Sequence, residues 1–378
     1  MRVAFRKFAI ALLAAALSGC ATYDDPYYVH SVWGPASATN AAWDVFYLTD
    51  RNIDRNMPGG FGYEPGQGIS CGVLHASVPP ARMPGDAGKF ATESGRDSLA
   101  CGAAGAEIAN AIVKQAHAKN CRSVLIYVHG FDTGFETAVL RAAQIAGDTQ
   151  WPCVTAAFSW SSSGKRDTYE EDNARVDAAI PAFANFLDAL TNAGLRTNIV
   201  AHSIGAKLVL KSLGTNGSGG LLADQVVFAA PDIGVAAEHG EFAEMNRAAA
   251  PHYRRLTIYA SDEDVALAIS RRLNHGVPRL GRDPKALRGT GADVIDASDA
   301  PGEFWGHNYF DFSYELLSDM SLALAGVPVQ ARLQPRMGAA PTLLPGDDGF
   351  SYRLNVSSSR APDIFTRVLR WLVSAIAG

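Results

Sequence analysis

The chain has 378 residues, a formal net charge of −5 at pH 7 and 48% hydrophobic residues. This length suffices for one large domain or two small ones, and the hydrophobic fraction is typical of a globular protein. The acidic balance argues against a nucleic-acid-binding surface and against a basic membrane-binding surface. We therefore expect no nucleic-acid partner.

The first twenty residues have the pattern of a secretion signal. Three positive charges precede an apolar run at residues 8–17, which is too short to span a bilayer and has the length typical of a signal peptide. The run ends in Leu17-Ser18-Gly19-Cys20. This segment resembles a bacterial lipobox, in which the cysteine receives lipid, so we predict lipidation of Cys20 and membrane attachment through it. An ordinary cleaved signal with a chance cysteine is the alternative.

The predicted anchor sets the expected location and domain organisation. In lipoproteins of this kind, an alanine after the cysteine, here Ala21, implies the outer membrane of the bacterial envelope, facing the periplasm. We predict a signal peptide at residues 1–20, a tether at 21–42, one α/β domain at 43–325 and a C-terminal extension at 326–378. The extension is rich in Pro, Gly and Ser until a final amphipathic helix at about 362–376. We expect this helix to pack on the domain, with a membrane-lying helix as the minor alternative.

Besides the lipobox cysteine, the chain has Cys71, Cys101, Cys121 and Cys153. An even number of cysteines in an oxidising compartment predicts two disulfides. Cys121 lies eight residues before His129, where one predicted strand ends, and Cys153 lies seven before Trp160, where the next one ends. If those strands are parallel neighbours, the two sulfurs lie at the same level, so we predict Cys121–Cys153 and, by elimination, Cys71–Cys101. The spacings do not resemble a zinc site, and we expect no metal and no cofactor.

Strands and helices alternate through most of the chain. Apolar runs predict strands at 45–49, 72–78, 124–128, 154–160, 195–201, 225–230, 256–260 and 293–297. Helical periodicity occurs at 103–118, 136–147, 168–190 and 206–213, and a Gly/Pro-rich loop is expected at 56–68. This alternation predicts an α/β fold with a mostly parallel central sheet and helices on both faces.

Ala201-His202-Ser203-Ile204-Gly205 directly follows a predicted strand and precedes a predicted helix. That is the context of the nucleophile-elbow motif G-x-S-x-G, whose sharp turn requires small residues two before and two after the serine. Ala201 stands where the motif has its first glycine. The motif predicts Ser203 as a nucleophile, and a buried strand–helix turn with an idle serine is the alternative.

His129-Gly130-Phe131 ends another apolar strand. Gly130 permits a tight turn, after which the N–H groups of Phe131 and Ile204 would form an oxyanion hole worth roughly 3–4 kcal/mol per donor. His129 is expected to be structural rather than the catalytic base. We predict a substrate pocket lined by His129, Gly130, Phe131, Phe135 and Trp160, with Phe158 beside them, although the aromatic residues are equally compatible with plain core.

A catalytic acid is expected after a later strand, because the chain order in this arrangement is Ser, acid, His. Asp264 follows the predicted strand at 256–260 and is favoured, while Asp262 and Asp232 remain alternatives. Each of the three aspartates is equally placed for the ordinary role of a helix N-cap.

The base must be a histidine beyond the acid. His307 lies in a loop after the last predicted strand, whereas His275 lies at the end of a predicted helix, so His307 is favoured. His307 Nε2 would take the proton of Ser203, Asp264 would hold the imidazole tautomer, and an acyl-enzyme would form and be released by water.

These motifs occur in an order that resembles the bacterial α/β-hydrolases catalogued as DUF900. The similarity extends over roughly residues 43–325. It is carried by Val45-Phe46-Tyr47-Leu48-Thr49-Asp50-Arg51, Val128-His129-Gly130-Phe131, Phe158-Ser159-Trp160-Ser161-Ser162, Ala201-His202-Ser203-Ile204-Gly205, Ala229-Ala230-Pro231-Asp232, Ala260-Ser261-Asp262-Glu263-Asp264-Val265-Ala266-Leu267 and Gly306-His307-Asn308-Tyr309-Phe310. The resemblance implies the α/β-hydrolase fold and esterase-like activity, and it favours Asp264 and His307.

Three functions follow as hypotheses. The first is hydrolysis of a carboxylic ester of a lipid, an acylated glycan or a small molecule in the envelope. The second is amide hydrolysis or acyl transfer by the same three residues, and the third is a non-catalytic envelope scaffold on a hydrolase fold. The fold alone does not choose among substrates.

Overall fold

The computed structural model describes residues 41–78, 91–102, 105–164, 169–215, 220–235, 240–287, 291–302, 305–335, 340–346, 351–356, 362 and 364–377. The predicted signal peptide, Cys20 and all but the last two residues of the predicted tether lie outside these ranges.

The described residues form one central sheet flanked by helices. The strands are β1 (Ala41–Ile53), β2 (Phe61–Val78), β3 (Thr92–Leu99), β4 (Ser123–Val128), β5 (Val154–Ser159), β6 (Arg196–His202), β7 (Ala223–Ala229), β8 (Tyr253–Ala260), β9 (Asp293–Asp296), β10 (Leu343–Pro345) and β11 (Tyr352–Leu354). The helices are α1 (Ala106–Ala118), α2 (Phe135–Asp148), α3 (Tyr169–Asn192), α4 (Gly205–Gly214), α5 (Glu241–Ala249), α6 (Val265–Leu273), α7 (Tyr309–Phe312), α8 (Tyr314–Leu324), α9 (Val329–Arg332) and α10 (Ile364–Ala377). Short 3-10 turns occur at Pro58–Gly60, Ala250–His252 and Pro284–Leu287.

The strand order is β10-β11-β9-β8-β7-β6-β4-β5-β1-β2-β3. In the sheet, the eight strands from β11 through β9, β8, β7, β6, β4 and β5 to β1 are all parallel to their neighbours. Strand β2 is antiparallel to both β1 and β3, and β10 is antiparallel to β11. Strands β4, β5 and β6 are buried along nearly their whole length because helices cover both faces of a parallel sheet. The predicted fold class is confirmed: the sheet is mostly parallel and carries helices on both faces.

The order in which successive strands are added to the sheet reverses at β4. The chain passes from β4 to β5 on one side and then places β6 on the other side of β4, with β7 beyond it. The connections that follow β4 and β6 therefore diverge and leave a crevice at the carboxyl ends of these strands. The segments with the predicted nucleophile and oxyanion donors both leave the sheet at this crevice.

Both predicted disulfides are present. Cys121 and Cys153 are bonded with their Cα atoms 5.8 Å apart, and Cys71 is bonded to Cys101 with a Cα separation of 5.3 Å. The reason given by the sequence also holds, because β4 and β5 are parallel neighbours with Val124 paired to Val154.

The sheet is larger than the sequence predicts. Strand β2 begins at Phe61, so the loop expected at 56–68 ends much earlier, and β3 was not expected. The predicted C-terminal extension also supplies β10 and β11, and β11 pairs with β9. Part of residues 326–378 therefore belongs to the same sheet as the rest of the domain.

The final helix, α10, packs against α6. No helix among the described residues combines the length and the apolar content needed to cross a bilayer.

Candidate active site

Ser203 occupies the turn between β6 and α4. Its φ is +53°, in the left-handed region that residues other than glycine rarely adopt, and its side chain is 4% exposed. Such strain persists only where the surrounding structure enforces it, and it is characteristic of functional turns. Gly205 lies so close to the chain after β4 that a Cβ there would be 2.4 Å from the carbonyl oxygen of His129. The small residue of the motif at position 205 is therefore a steric requirement.

The loop after β4 packs directly on this turn. A Cβ at Gly130 would be 2.7 Å from Cβ of Ser203 and 3.0 Å from Nδ1 of His202. Within the described part of the chain, the backbone amides of neither Phe131 nor Ile204 donate to a protein acceptor. Two amide donors next to the serine are what an oxyanion hole requires.

Buried polar groups fix the path of this loop. Arg51, at the carboxyl end of β1, is 1% exposed and donates from Nη2 to the carbonyl oxygen of Thr133 at 2.5 Å. The same nitrogen lies 3.4 Å from Nε2 of His129, and Nε of Arg51 donates to Oγ of Ser159 at 3.0 Å. Burial lowers the pKa of Arg51 to about 10, so the guanidinium remains charged at neutral pH. Arg51 thus connects three segments around the crevice.

His129 is part of the same buried network. Burial, aided by the charge of Arg51, lowers the pKa of His129 to about 3, so its ring is neutral. The ring stacks on Trp160 with centroids 5.2 Å apart, and Trp160 Nε1 donates to the His129 carbonyl oxygen at 2.9 Å. These contacts give His129 a structural role.

Asp264 and His307 form a hydrogen-bonded pair. Nδ1 of His307 donates to Oδ2 of Asp264 at 2.7 Å, and this leaves Nε2 as the ring nitrogen that can accept a proton. Oδ1 of Asp264 accepts from the amide of Leu267 at 2.8 Å, so the same carboxylate is also the N-cap of α6. Burial raises the pKa of Asp264, while the His307 ring and the Leu267 amide favour its charged form.

The loop that carries His307 is held against the serine turn. Nε2 of His202 donates to the carbonyl oxygen of His307 at 3.3 Å, and the two rings lie 4.6 Å apart between centroids. Burial lowers the pKa of His202 well below its usual value, which keeps this ring neutral. The amide of Val265 donates to the carbonyl oxygen of Trp305 at 2.8 Å and ties the loop to α6. Because His202 precedes Ser203 directly, these contacts place His307 next to the turn.

The other candidate acids and the other histidine lie in different surroundings. Asp232 accepts hydrogen bonds from Tyr169 and Ser270 and forms a buried ion pair with Arg279. Asp262 is exposed to solvent. His275 is also exposed and lies just beyond the end of α6, as a helix-terminal residue is expected to.

The aromatic residues predicted to line a pocket divide into two groups. Phe135 packs on Tyr47, Phe158 packs on Phe183 with centroids 4.9 Å apart, and Trp160 stacks on His129. Phe135, Phe158 and Trp160, like His129, are at most 1% exposed. The pocket prediction for them is corrected, because protein neighbours cover these side chains and leave no surface for a ligand. Phe131 remains partly exposed and contacts the ring of Tyr169 edge-on at 5.8 Å.

Sequence reasoning missed Arg51, His202 as a partner of His307, and Tyr309. The Tyr309 hydroxyl donates to the carbonyl oxygen of Tyr259 at 2.8 Å and accepts from the amide of Ala230 at 3.1 Å, so it ties α7 to the ends of β7 and β8. A basic residue two positions after the predicted apolar strand at 45–49 was the available signal for Arg51. No comparable signal exists for Tyr309.

Comparison with known proteins identifies the family. No curated protein matches the chain. The family model described as "Alpha/beta hydrolase of unknown function (DUF900)" matches residues 104–321, which include the serine turn, the loop after β4 and the Asp264–His307 pair. Since this match covers more than half of the chain and the sheet has the corresponding architecture, the protein belongs to the DUF900 family of α/β hydrolases.

Proposed function

We propose that the protein is a serine hydrolase that cleaves carboxylic esters with Ser203, His307 and Asp264. The observation that carries the proposal is the left-handed turn at Ser203, φ +53°, beside a histidine whose Nδ1 is already bonded to a buried carboxylate. The family match adds support for hydrolysis as the general class of reaction.

The proton transfers follow from the direction of the hydrogen bond. Because Asp264 accepts from Nδ1 of His307, Nε2 is the basic nitrogen and takes the Ser203 proton as the hydroxyl oxygen attacks the acyl carbon. The imidazolium then donates this proton to the leaving alcohol as the ester bond breaks. Water, deprotonated by the same nitrogen, attacks the acyl-enzyme and releases the carboxylic acid and free Ser203.

The amides of Phe131 and Ile204 are the proposed donors to the carbonyl oxygen of the substrate. They gain most when that oxygen becomes negative, so they favour the transition state over the bound ester. The amino-terminal end of α4, which begins at Gly205, adds its positive dipole to the same place.

Phe131 and Tyr169 are the proposed apolar wall of the site. Both rings are partly exposed and contact each other, in contrast to the fully buried aromatic residues behind them. A partly exposed aromatic wall beside a nucleophile suits an acyl chain better than a charged substrate.

Labelling with a fluorophosphonate probe tests the proposal. The wild type is expected to label, Ser203→Ala is expected not to label, and Ser94→Ala, which changes an exposed serine on β3, is expected to label like the wild type. Folded wild-type protein that does not label would favour the non-catalytic scaffold. A panel of p-nitrophenyl esters and matching anilides then separates ester hydrolysis from amide hydrolysis, and added alcohols as acceptors would reveal acyl transfer.

We also propose that the protein is a lipoprotein of the bacterial envelope, anchored at Cys20 and facing the periplasm from the outer membrane. The lipobox-like sequence supports this proposal, and so do the two disulfides, since disulfides persist in oxidising compartments. Metabolic labelling with a tagged fatty acid is expected to mark the wild type and not Cys20→Ser. Equal labelling of both would disprove the anchor.

A further inference from the structure

The C-terminal helix α10 is oriented with its charged side chains toward the protein. Arg370 is 2% exposed, donates from Nη2 to the carbonyl oxygen of Gly302 at 3.4 Å and has Nη1 3.9 Å from Glu263. Arg367 donates from Nη2 to Asp299 at 2.7 Å. The charged side of the helix therefore faces the domain, which is the reverse of the usual packing of an amphipathic helix.

The opposite side of α10 is apolar and exposed. We call this side the outer face; its exposed residues are Ile364 (78%), Phe365 (70%), Val368 (46%), Trp371 (67%) and Leu372 (43%). Their spacing of one, three, three and one residues places them on one side of a helix. Monomeric proteins rarely expose a contiguous group of large apolar side chains, and such a group marks an interaction surface.

Helix α10 adjoins the candidate active site through its charged side, opposite the outer face. The guanidinium carbon of Arg370 would lie 3.4 Å from a Cβ at Gly306, the residue directly before His307. Glu263, which faces Arg367 and Arg370, directly precedes Asp264. The helix is thus one layer away from both members of the hydrogen-bonded pair.

We propose that the outer face of α10 lies in the interface of a lipid bilayer and turns the active-site edge of the sheet toward that membrane. An interfacial helix buries its apolar side about 5–10 Å deep, at the boundary of headgroups and acyl chains. The outer face contains no charged residue, so its attachment depends on apolar burial and not on anionic lipid.

A bilayer fits this surface better than a second copy of the chain does. At their exposed fractions, the five side chains of the outer face present roughly 600 Å² of accessible surface. A stable protein–protein interface buries about 800 Å² on each partner. A lipid surface has no such minimum, since it covers whatever apolar area protrudes.

The proposed anchor is compatible with this orientation. The carboxyl end of β1 lies with the carboxyl ends of the other parallel strands, where the candidate site is. The first residue of β1, Ala41, lies about 40 Å away, at the opposite end of the strands. The twenty residues between Cys20 and Ala41 can extend to about 70 Å, which is enough to run from the membrane past the length of β1. The domain can therefore be tethered at one edge and face the bilayer with the other.

This orientation also names a class of substrate, and that part rests on the proposed ester hydrolysis. An active site held at the membrane surface would meet acyl esters that reside in the bilayer. The partly exposed Phe131 and Tyr169 would receive the acyl chain as it leaves the lipid.

Fluorescence quenching by lipids with brominated acyl chains tests the membrane contact on the full chain. In phosphatidylcholine vesicles that contain these lipids, quenching of tryptophan emission is expected in the wild type and is expected to be largely lost in Trp371→Phe. The matched control is Trp43→Phe, which removes a half-buried tryptophan near the amino end of β1 and is expected to keep the quenching. Equal quenching of wild type and Trp371→Phe, or no quenching in either, overturns the proposal.

A second pair of variants measures the strength of the contact. In protein that carries Cys20→Ser and so lacks the proposed lipid anchor, Phe365→Gln with Trp371→Gln is expected to weaken partition into phosphatidylcholine vesicles at least tenfold, since each side chain loses its apolar burial. Leu221→Gln, which changes an exposed leucine before β7 at the opposite edge, is expected to have no effect. Loss of self-association instead of loss of vesicle binding would identify a second copy as the occupant and refute the bilayer.

The same samples separate this inference from the proposed chemistry. Ser203→Ala is expected to show the same lipid quenching as the wild type. If quenching occurs without fluorophosphonate labelling, the proposed function fails while the membrane contact stands, and labelling without quenching gives the reverse result.

Discussion

Gly130→Ala tests the contact between the loop after β4 and the nucleophile turn. The new methyl group would lie 2.7 Å from Cβ of Ser203, 3.0 Å from Nδ1 of His202 and 3.2 Å from the His202 carbonyl oxygen. The φ of Gly130 is not in the left-handed region, so alanine brings no backbone strain and the effect is steric. Ordinary contacts at this place require about 3.4–4 Å.

The loop or the serine must therefore move by about 1 Å. Misplacement of reacting groups by this amount costs roughly 10²-fold in rate, which equals about 2.7 kcal/mol of transition-state stabilisation. Overpacking adds a loss of about 1–3 kcal/mol in the free energy of unfolding. We expect kcat/KM for a p-nitrophenyl ester, and the rate constant of fluorophosphonate labelling, to fall about 100-fold while the protein stays folded.

Gly134→Ala is the matched control in the same loop. Its methyl group would lie 3.4 Å from the Tyr63 hydroxyl, which is ordinary contact, so labelling and kcat/KM are expected to remain near wild type. Thermal unfolding of both variants confirms that the fold is kept. Wild-type labelling rates in Gly130→Ala would refute the assignment of this loop as the partner of Ser203.

Three further predictions concern the pair, the buried histidine and a disulfide. Asp264→Asn keeps a side-chain oxygen that can accept from the Leu267 amide, but it removes the carboxylate that selects the tautomer of His307. We therefore expect kcat to fall roughly 10⁴-fold with little change in thermal stability. Retention of more than a tenth of the activity would contradict this role. His129 is neutral in the folded protein with a pKa of about 3, whereas in the unfolded chain its pKa is near 6.5. The unfolded chain therefore binds the additional proton, and stability present above pH 6.5 is lost as the pH falls toward 3, by at most about 1.4 kcal/mol per pH unit. The free energy of unfolding, measured in urea at a series of pH values below 6.5, should fall less steeply in His129→Gln than in the wild type. Identical pH dependence in the two proteins would contradict the assignment. Replacement of Cys121 and Cys153 by serine opens a loop with a sequence separation of 32 and should lower the free energy of unfolding by about 3–4 kcal/mol in denaturant titration, whereas an unchanged midpoint would contradict a stabilising role.

The central part of the fold was predictable because its strands are continuous apolar runs separated by periodic helices. From residue 123 to residue 273, every predicted strand and helix corresponds to one in the structure, with ends that differ by a few residues. The cysteine spacing added a check on the pairing of β4 with β5. These signals are local, and they agree with the tertiary structure because parallel strands are buried on both faces.

The edges of the sheet carried weaker signals. The first part of β2 contains Gly62, Pro65, Gly66 and Gly68, which suppress strand propensity, and register shifts in its pairing with β1 accommodate it. Strand β3 is polar and largely exposed, and β10 and β11 have three residues each. Their place in the sheet depends on neighbouring strands, which the local sequence does not reveal.

The candidate site likewise contains residues that the sequence predicts and residues that it does not. Ser203, Asp264 and His307 follow from motif, position and chain order. The positioning residues cannot be predicted in this way, because their partners are far away in the sequence. Arg51 donates a hydrogen bond to a carbonyl oxygen 82 positions later, and His202 donates one to a carbonyl oxygen 105 positions later. The buried state of Phe135 and Trp160 likewise depends on helix packing, which an aromatic residue near a motif does not specify.

The most direct test of the account is the identity of the residue that reacts. Protein treated with the fluorophosphonate probe is digested and the adduct is located by mass spectrometry. We predict one adduct, on Ser203, whose formation slows sharply in Asp264→Asn and His307→Gln. An adduct on a different residue, or formation on Ser203 at an unchanged rate in both variants, would contradict the proposed mechanism.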